Sequence, residues 1–138
     1  MKLKIIDNKE YIFDVVRKKY ILNQPEEWVR QNIIEYLIKQ KGYPASLISI
    51  EKKLDKSLKR CDIICYNRNQ EPLLLIECKS YNTQLDESTF HQSMNYQKTI
   101  NSKYIVITNG KQHYCFQLMD KKFIFSKTIP TYNELTKT

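Results

Sequence analysis

Three residues able to do acid–base and metal chemistry stand at the ends of two neighbouring predicted strands. Asp62 opens the apolar stretch 61–66, and Glu77 and Lys79 close the apolar stretch that begins at Pro72. Because side chains alternate between the two faces of a strand, Glu77 and Lys79 are predicted to point the same way. The turn predicted at residues 67–70 is short enough to bring Asp62 beside Glu77.

Two neighbouring carboxylates form a hard oxygen site of the kind that suits Mg²⁺, which binds one or two carboxylates and keeps several waters. A metal held there would polarise a phosphate and lower the pKa of an attacking water. Lys79 would position that water and stabilise the charge that develops on the phosphate. The spacing alone leaves a second interpretation equally open, in which Lys79 and Glu77 are simply an ion pair at the end of a sheet.

The hydrophobic pattern predicts an α/β (α+β) fold in which helices flank a central mixed sheet. A helix should begin at Pro25 and stop at Gly42, and a second helix should cover residues 85–100. A hairpin or edge strand is predicted within residues 10–22, and the polar C-terminal residues are expected to be frayed. The remaining predicted strands are 47–51, 61–66, 72–79, 103–108, 113–118 and 123–125, which gives the order αβββαβ with extra hairpin strands.

The composition fits one ordered domain over residues 1–138, with its core at about 20–118. The net charge of +8 suits a nucleic-acid partner, but an ordinary lysine-rich protein would carry it equally well. With only two glycines, a glycine-rich phosphate-binding loop is excluded. None of the ten tyrosines falls in a pattern that predicts base stacking.

We expect no targeting signal in this sequence. No apolar run is long enough to span a membrane, and charges interrupt the N-terminus too early for a signal peptide. We therefore expect a cytoplasmic protein whose four cysteines are reduced, and their spacing does not match a zinc site.

An ordered series of motifs resembles one protein family. The series begins with residues 25–31 (PEEWVRQ) and 42–44 (GYP), continues with Asp62 and residues 72–79 (PLLLIECK), and ends with 108–110 (TNG). It resembles the PD-(D/E)xK nuclease superfamily, and within it the N-terminal nuclease domain of type I restriction enzyme R subunits and their stand-alone relatives. A restriction-endonuclease-like core is the fold that this resemblance implies.

The resemblance also implies an activity, namely Mg²⁺-dependent endonuclease cleavage of DNA, most simply of the duplex, with Mn²⁺ as a substitute metal. It assigns Asp62 and Glu77 as metal ligands and Lys79 as the catalytic lysine. An acidic residue on the first helix often completes such a site, and Glu27 is the choice here, with Glu26 as the substitute. For these two glutamates, stabilisation of the helix N-terminus is the competing interpretation.

Nucleic-acid contacts are expected from three places in the chain. Arg30 and Gln31 share a helical face with Glu27, and Gln92 and Tyr96 resemble the QxxxY motif of many relatives. A basic stretch that ends in Lys59 and Arg60 directly precedes Asp62. For Gln92 and Tyr96, a polar helix face remains an equally open interpretation. For the basic stretch, a solvated loop does.

The chain departs from the family in two respects. Cys61 stands at the proline position of the PD motif, which does no chemical work. The sequence contains no Walker-type loop, and its 138 residues are too few to include an ATP-driven motor. The activity of a complete restriction enzyme therefore does not carry over to it. The alternative to an enzyme is an inactive nuclease-fold module that binds nucleic acid or a partner. A homodimer, or association with restriction-modification or helicase subunits, is the expected assembly.

Overall fold

The structure is a computed structural model that describes residues 2–53 and 60–137. For residues 51–53, 60, 61 and 95–99 only the backbone is described. Among the helices of these residues, none combines the length and the apolar character needed to cross a bilayer.

A small antiparallel sheet comes first, made of β1 (Leu3–Ile6), β2 (Lys9–Asp14) and β3 (Lys19–Leu22), with β2 in the centre. The hairpin predicted within residues 10–22 is confirmed as β2 and β3, whereas β1 was not predicted. All four residues of β1 are exposed, so burial imposes no alternation on its sequence. Asp7 and Asn8 both have positive φ, as a tight hairpin turn requires.

The first helix, α1 (Pro25–Lys39), begins where it was predicted. Pro25 occupies the first turn, where a missing N–H costs no hydrogen bond, and Glu26 and Glu27 interact favourably with the helix dipole. Gly42 follows the helix with a φ of +74°, a conformation that favours glycine. One face of α1 is buried against the main sheet, and this face includes polar residues as well as apolar ones.

The main sheet has six strands in the spatial order β4-β5-β6-β7-β8-β9. A single 3₁₀ turn, Ala45–Leu47, leads into it. Its strands are β4 (Ile48–Lys53), β5 (Arg60–Tyr66), β6 (Pro72–Cys78), β7 (Tyr104–Thr108), β8 (His113–Met119) and β9 (Lys122–Ser126).

Only the β6–β7 pair is parallel, because α2 (Glu87–Ile100) makes the crossover between these two strands. The predicted mixed sheet is thus confirmed. Strand β6 lies at the centre and is buried from Leu73 to Cys78, as expected for a strand covered on both faces. Apolar clusters lie on both sides of the sheet, one around α1 and one around α2.

The C-terminal residues are ordered in a short helix, α3 (Tyr132–Thr136), so the prediction of a frayed end was wrong. Thr131 and Glu134 form a capping box that satisfies the first backbone N–H groups of α3. The ring of Tyr132 packs edge-on against Tyr43 at 5.6 Å between centroids. The polar composition concealed these anchors, because a capping box is built from polar residues.

Candidate functional site

Backbone pairing brings Asp62 to the end of β6. Ile63 pairs with Ile76 in the antiparallel register, so Asp62 comes beside Glu77. The backbone N–H of Cys78 donates to Asp62 Oδ2 at 2.9 Å, which holds the carboxylate at the edge of the sheet. The N–H of Lys79 donates to the carbonyl of Thr108 on β7 at 2.8 Å, so the chain remains tied to the sheet beyond the end of β6.

Glu77 and Lys79 share one face of the strand, as the alternation predicted. Lys79 Nζ lies 3.5 Å from Glu77 Oε1. The same ammonium group donates to Gln92 Oε1 on α2 at 3.0 Å. The second helix therefore contributes directly to the position of the lysine, through one of the residues that the sequence singled out.

The carboxylate of Glu77 is buried in an unusual electrostatic environment. The residue is 3% exposed, and its Oε2 atom has no hydrogen-bond partner within the described part of the chain. Burial, reinforced by the negative charge of Asp62, raises the pKa of Glu77 to about 8, although Lys79 opposes the shift. A buried carboxylate of this kind requires either a proton or a cation near neutral pH.

Arg30 connects α1 to this site. Its Nη2 atom lies 3.0 Å from Asp62 Oδ1 and 3.6 Å from Glu26 Oε1. Its Nη1 atom donates to Glu27 Oε1 at 2.8 Å. Burial alone would lower the pKa of Arg30, but the carboxylates of Glu27 and Asp62 outweigh that effect and raise it, so the guanidinium stays charged.

Both carboxylate oxygens of Glu27 are engaged away from Asp62 and Glu77. Gln31 Nε2 donates to Oε2 at 3.0 Å, and Arg17 Nη2 donates to Oε1 at 3.1 Å beside Arg30. Arg17 was not found by sequence reasoning. It lies in the turn between β2 and β3, where its guanidinium also binds the fully buried Asp14.

Glu26 adds its negative charge to the surroundings of the Asp62–Glu77 pair. Its side chain is 49% exposed, and burial and the charge of Asp62 raise its pKa. Glu26 in turn contributes to the raised pKa of Glu77. Glu26, the more exposed of the two glutamates in the first turn, is therefore coupled electrostatically to Asp62 and Glu77. Glu27, the buried one, is paired with Arg17 and Arg30.

Comparison with known proteins shows the family of the chain. A family model for the type I restriction enzyme R protein N terminus (HSDR_N) matches residues 25–130. The chain belongs to this family. No curated protein matches it.

A solved structure supports the fold of this family member. It is a fragment described as an HsdR subunit of a type I restriction enzyme from Vibrio vulnificus YJ016. The TM-score is 0.63 at 19% sequence identity, over 81% of this chain. The match spans only 24% of the Vibrio chain, so the likeness concerns the fold of one part of that protein.

The described residues that were expected to contact nucleic acid in this R-protein N-terminal domain do not lie together on one surface. Arg30 and Gln31 are buried and hold Glu27, so they lie within the protein and not on an open surface. Gln92 lies at the site, in contact with Lys79. Lys59, and the side chains of Arg60 and Tyr96, lie outside the described residues.

The donor set of this domain fits a divalent cation that prefers oxygen. Asp62 and Glu77 provide two carboxylates, and the buried Oε2 of Glu77 has no partner in the described structure. Among the described residues, no three His, Cys, Asp or Glu side chains converge on one point. Two carboxylates suffice for Mg²⁺, because this ion retains several of its waters.

Proposed function

We propose that this domain is a metal-dependent endonuclease that hydrolyses phosphodiester bonds in double-stranded DNA. The observation that supports it most is the buried carboxylate of Glu77, which has an unpartnered oxygen in the described structure, beside Asp62 and 3.5 Å from the ammonium of Lys79. Two acids and one lysine at a sheet edge are the groups that such hydrolysis needs. Membership of the R-protein family makes a role in restriction-modification the natural context.

Each residue has a role in this proposal. Asp62 and Glu77 would hold Mg²⁺, or Mn²⁺ in its place, and water would fill the other positions, because the oxygens of Glu27 are already bound by Arg17, Arg30 and Gln31. The bound cation would act as a Lewis acid on the phosphate and lower the pKa of a coordinated water. Lys79 positions the attacking water and stabilises the negative charge that grows on the phosphate oxygens.

Two further side chains keep these groups in place. Gln92 accepts a hydrogen bond from Lys79 and so limits the rotamers of its long side chain. Arg30 fixes one oxygen of Asp62, and the Cys78 amide fixes the other. Such support preserves the geometry on which positioned catalytic groups depend.

The larger context is also part of the proposal. DNA as substrate agrees with a net charge of +8 and implies a cytoplasmic location. Cutting both strands would require two copies of the site, supplied by a homodimer or by association with restriction-modification or helicase subunits.

The decisive experiment is a cleavage assay on supercoiled and linear duplex DNA with Mg²⁺, Mn²⁺ or EDTA. We expect nicking or cutting with either metal and none with EDTA. Glu77→Gln should abolish cleavage and weaken Mn²⁺ binding, because it removes one ligand charge. Lys79→Ala should lower the rate by about 10²–10³, the usual loss for one transition-state donor, and leave Mn²⁺ binding largely intact.

Glu35→Gln is the matched control, since Glu35 forms an exposed pair with Lys39 on the same helix as Glu26. It should cleave like the wild type. The proposal fails if the wild-type protein leaves DNA intact under every metal condition, or if Glu77→Gln cleaves at the wild-type rate.

A second candidate function is a nuclease-fold module that binds nucleic acid or a partner without cutting. It is favoured by the fact that Arg30 already neutralises Asp62 and Gln92 already engages Lys79, so that part of the site is satisfied internally. This candidate predicts DNA binding that persists in EDTA and in Glu77→Gln, with no cleavage by the wild type.

A further inference from the structure

A cavity of about 590 Å³ is lined by none of the proposed catalytic residues. It is lined by the start of α1, by the loop after β6, by the turn between β7 and β8, and by the N-terminal sheet. The side chains that matter for the argument are Asn23, Trp28, Asn32, Tyr81 and Lys111.

The lining combines flat aromatic surfaces with polar groups. Trp28 is 36% exposed and Tyr81 is 39% exposed, so each presents part of a ring to solvent. They come from distant parts of the chain, which is why no stacking pattern is visible in the sequence. Aromatic rings stack nucleobases of any type, and a lysine such as Lys111 can pair with a backbone phosphate.

Asn23 is a polar member of the cavity lining. Its Nδ2 atom donates to Glu10 Oε1 at 2.7 Å, which fixes the orientation of the amide. Its Oδ1 atom is buried and has no hydrogen-bond partner in the described residues. This oxygen therefore lies beneath the surface of the cavity, and the two aromatic rings and Lys111 are the groups that a ligand can reach.

Two residues of the cavity lining lie close in sequence to residues of the candidate site. Trp28 follows Glu27 on α1, and Tyr81 lies two residues after Lys79. The Nδ2 atom of Asn109, in the β7–β8 turn, donates to the Thr83 carbonyl at 2.8 Å, so the two loops that line the cavity are tied together. Tyr81 is thus within two residues of the lysine that the proposed function places at the phosphate that is attacked.

We propose that the cavity receives an unstacked nucleobase of the strand that is cut, so that duplex DNA opened locally at the site is a better substrate than fully paired duplex. The inference rests on the proposed function for the position of the strand. A base that is paired and stacked in a duplex has no free face to offer, and extrusion from the helix costs free energy. Open DNA avoids that cost.

Trp28 gives a direct measurement, because it is the only tryptophan in the chain. Its fluorescence should be quenched saturably by a short oligothymidylate in EDTA, where no cleavage occurs. A hairpin duplex of equal charge should bind without comparable quenching. Tyr81→Ala should weaken oligothymidylate binding about tenfold, the loss expected for one stacked base.

Tyr36→Ala is the matched control for Tyr81→Ala, because Tyr36 is 38% exposed and Tyr81 is 39% exposed. Tyr36 lies on the same helix as Trp28 but outside the cavity. It should bind like the wild type. Anisotropy of a labelled oligonucleotide measures binding independently of Trp28. Equal quenching by duplex and single strand, binding without quenching, absence of binding, or a Tyr81→Ala affinity equal to wild type would each overturn the inference.

The outcome separates the two proposals. Quenching by single strands in a protein that cuts no DNA would overturn the hydrolytic function and leave the cavity as a base-binding site. Cleavage by a protein whose Trp28 does not respond to single strands would overturn the cavity inference alone.

Discussion

At the scale of the residue, the site is defined by charges that the protein itself does not fully balance. Glu77 is buried next to another acid, and the single ammonium of Lys79 lies 3.5 Å away. A carboxylate in that position is neutral when protonated and costly when ionised. The ionisation of Glu77 should therefore be visible in the stability of the metal-free protein.

The predicted signature is a pH-dependent difference between wild type and Glu77→Gln. The pKa of Glu77 is about 8 in the folded protein against an ordinary value of 4.5. Its contribution to the free energy of unfolding is thus complete below about pH 4.5 and is lost as the pH rises towards 8. Chemical denaturation in EDTA should show the wild type losing stability relative to Glu77→Gln across this range. Parallel curves for the two proteins would contradict the prediction.

Arg30 should be the most sensitive position of the network. It is 6% exposed at the side chain and contacts three carboxylates. Arg30→Ala leaves Glu27 and Asp62 without this partner, so we expect a loss of about 3–5 kcal/mol in the free energy of unfolding. Lys39→Ala, which breaks only an exposed pair with Glu35, should cost about 0.5 kcal/mol or less. Urea titration of both variants provides the comparison, and similar losses would refute it.

The sequence was sufficient to predict how Glu77, Lys79 and Asp62 come together, because strand alternation and a short turn determine their positions. It was not sufficient to predict the partners of Glu27. Arg17 approaches from a turn of a different sheet, and no periodic pattern relates that turn to α1. Long-range pairing of this kind depends on tertiary packing.

At the scale of the element, the β7–β8 turn shows how the backbone supports the site. Asn109 Oδ1 accepts hydrogen bonds from the N–H groups of Lys111 and Gln112, which closes the turn. Gly110 has a φ of +87°, and a Cβ atom there would lie 3.2 Å from a methyl group of Val29 on α1. Glycine is needed both for the conformation and for the close approach of the helix.

A pair of glycine variants separates these two requirements. Gly42 also has a positive φ, at +74°, but a Cβ there would meet nothing within 4 Å. Gly42→Ala should cost about 1–2 kcal/mol from backbone strain alone. Gly110→Ala should cost about 1 kcal/mol more, because the added methyl also crowds Val29. Thermal or urea unfolding gives both values, and an equal cost would mean that the turn can move away from the helix.

The elements themselves were largely predictable, and the failures have physical causes. Both long helices and the six strands of the main sheet follow from apolar periodicity, since each buries a face. Strand β1 and helix α3 were missed because their stability comes from pairing and capping, which leave no hydrophobic pattern.

At the scale of the whole molecule, the excess of basic residues predicts how DNA binding responds to salt. Each phosphate neutralised by the protein contributes about −0.9 to the slope of log K against log salt for duplex DNA, and about −0.7 for single strands. Titrations at several salt concentrations should give a steep linear decrease in affinity. Lys111→Ala should reduce the magnitude of the single-strand slope by about 0.7, the contribution of one phosphate contact. A slope near zero for the wild type would exclude phosphate contacts altogether.

The family match begins at residue 25, yet the guanidinium that shares Glu27 with Arg30 belongs to Arg17. A protein shortened to the matched residues would therefore lack Arg17, and it would also lack the buried Asp14 that Arg17 binds. The shortened protein would keep every motif of the family. It would lose the hydrogen bond from Arg17 to Glu27, the residue that holds Arg30 beside Asp62. Expression of this domain should therefore start upstream of residue 25, with the small N-terminal sheet included.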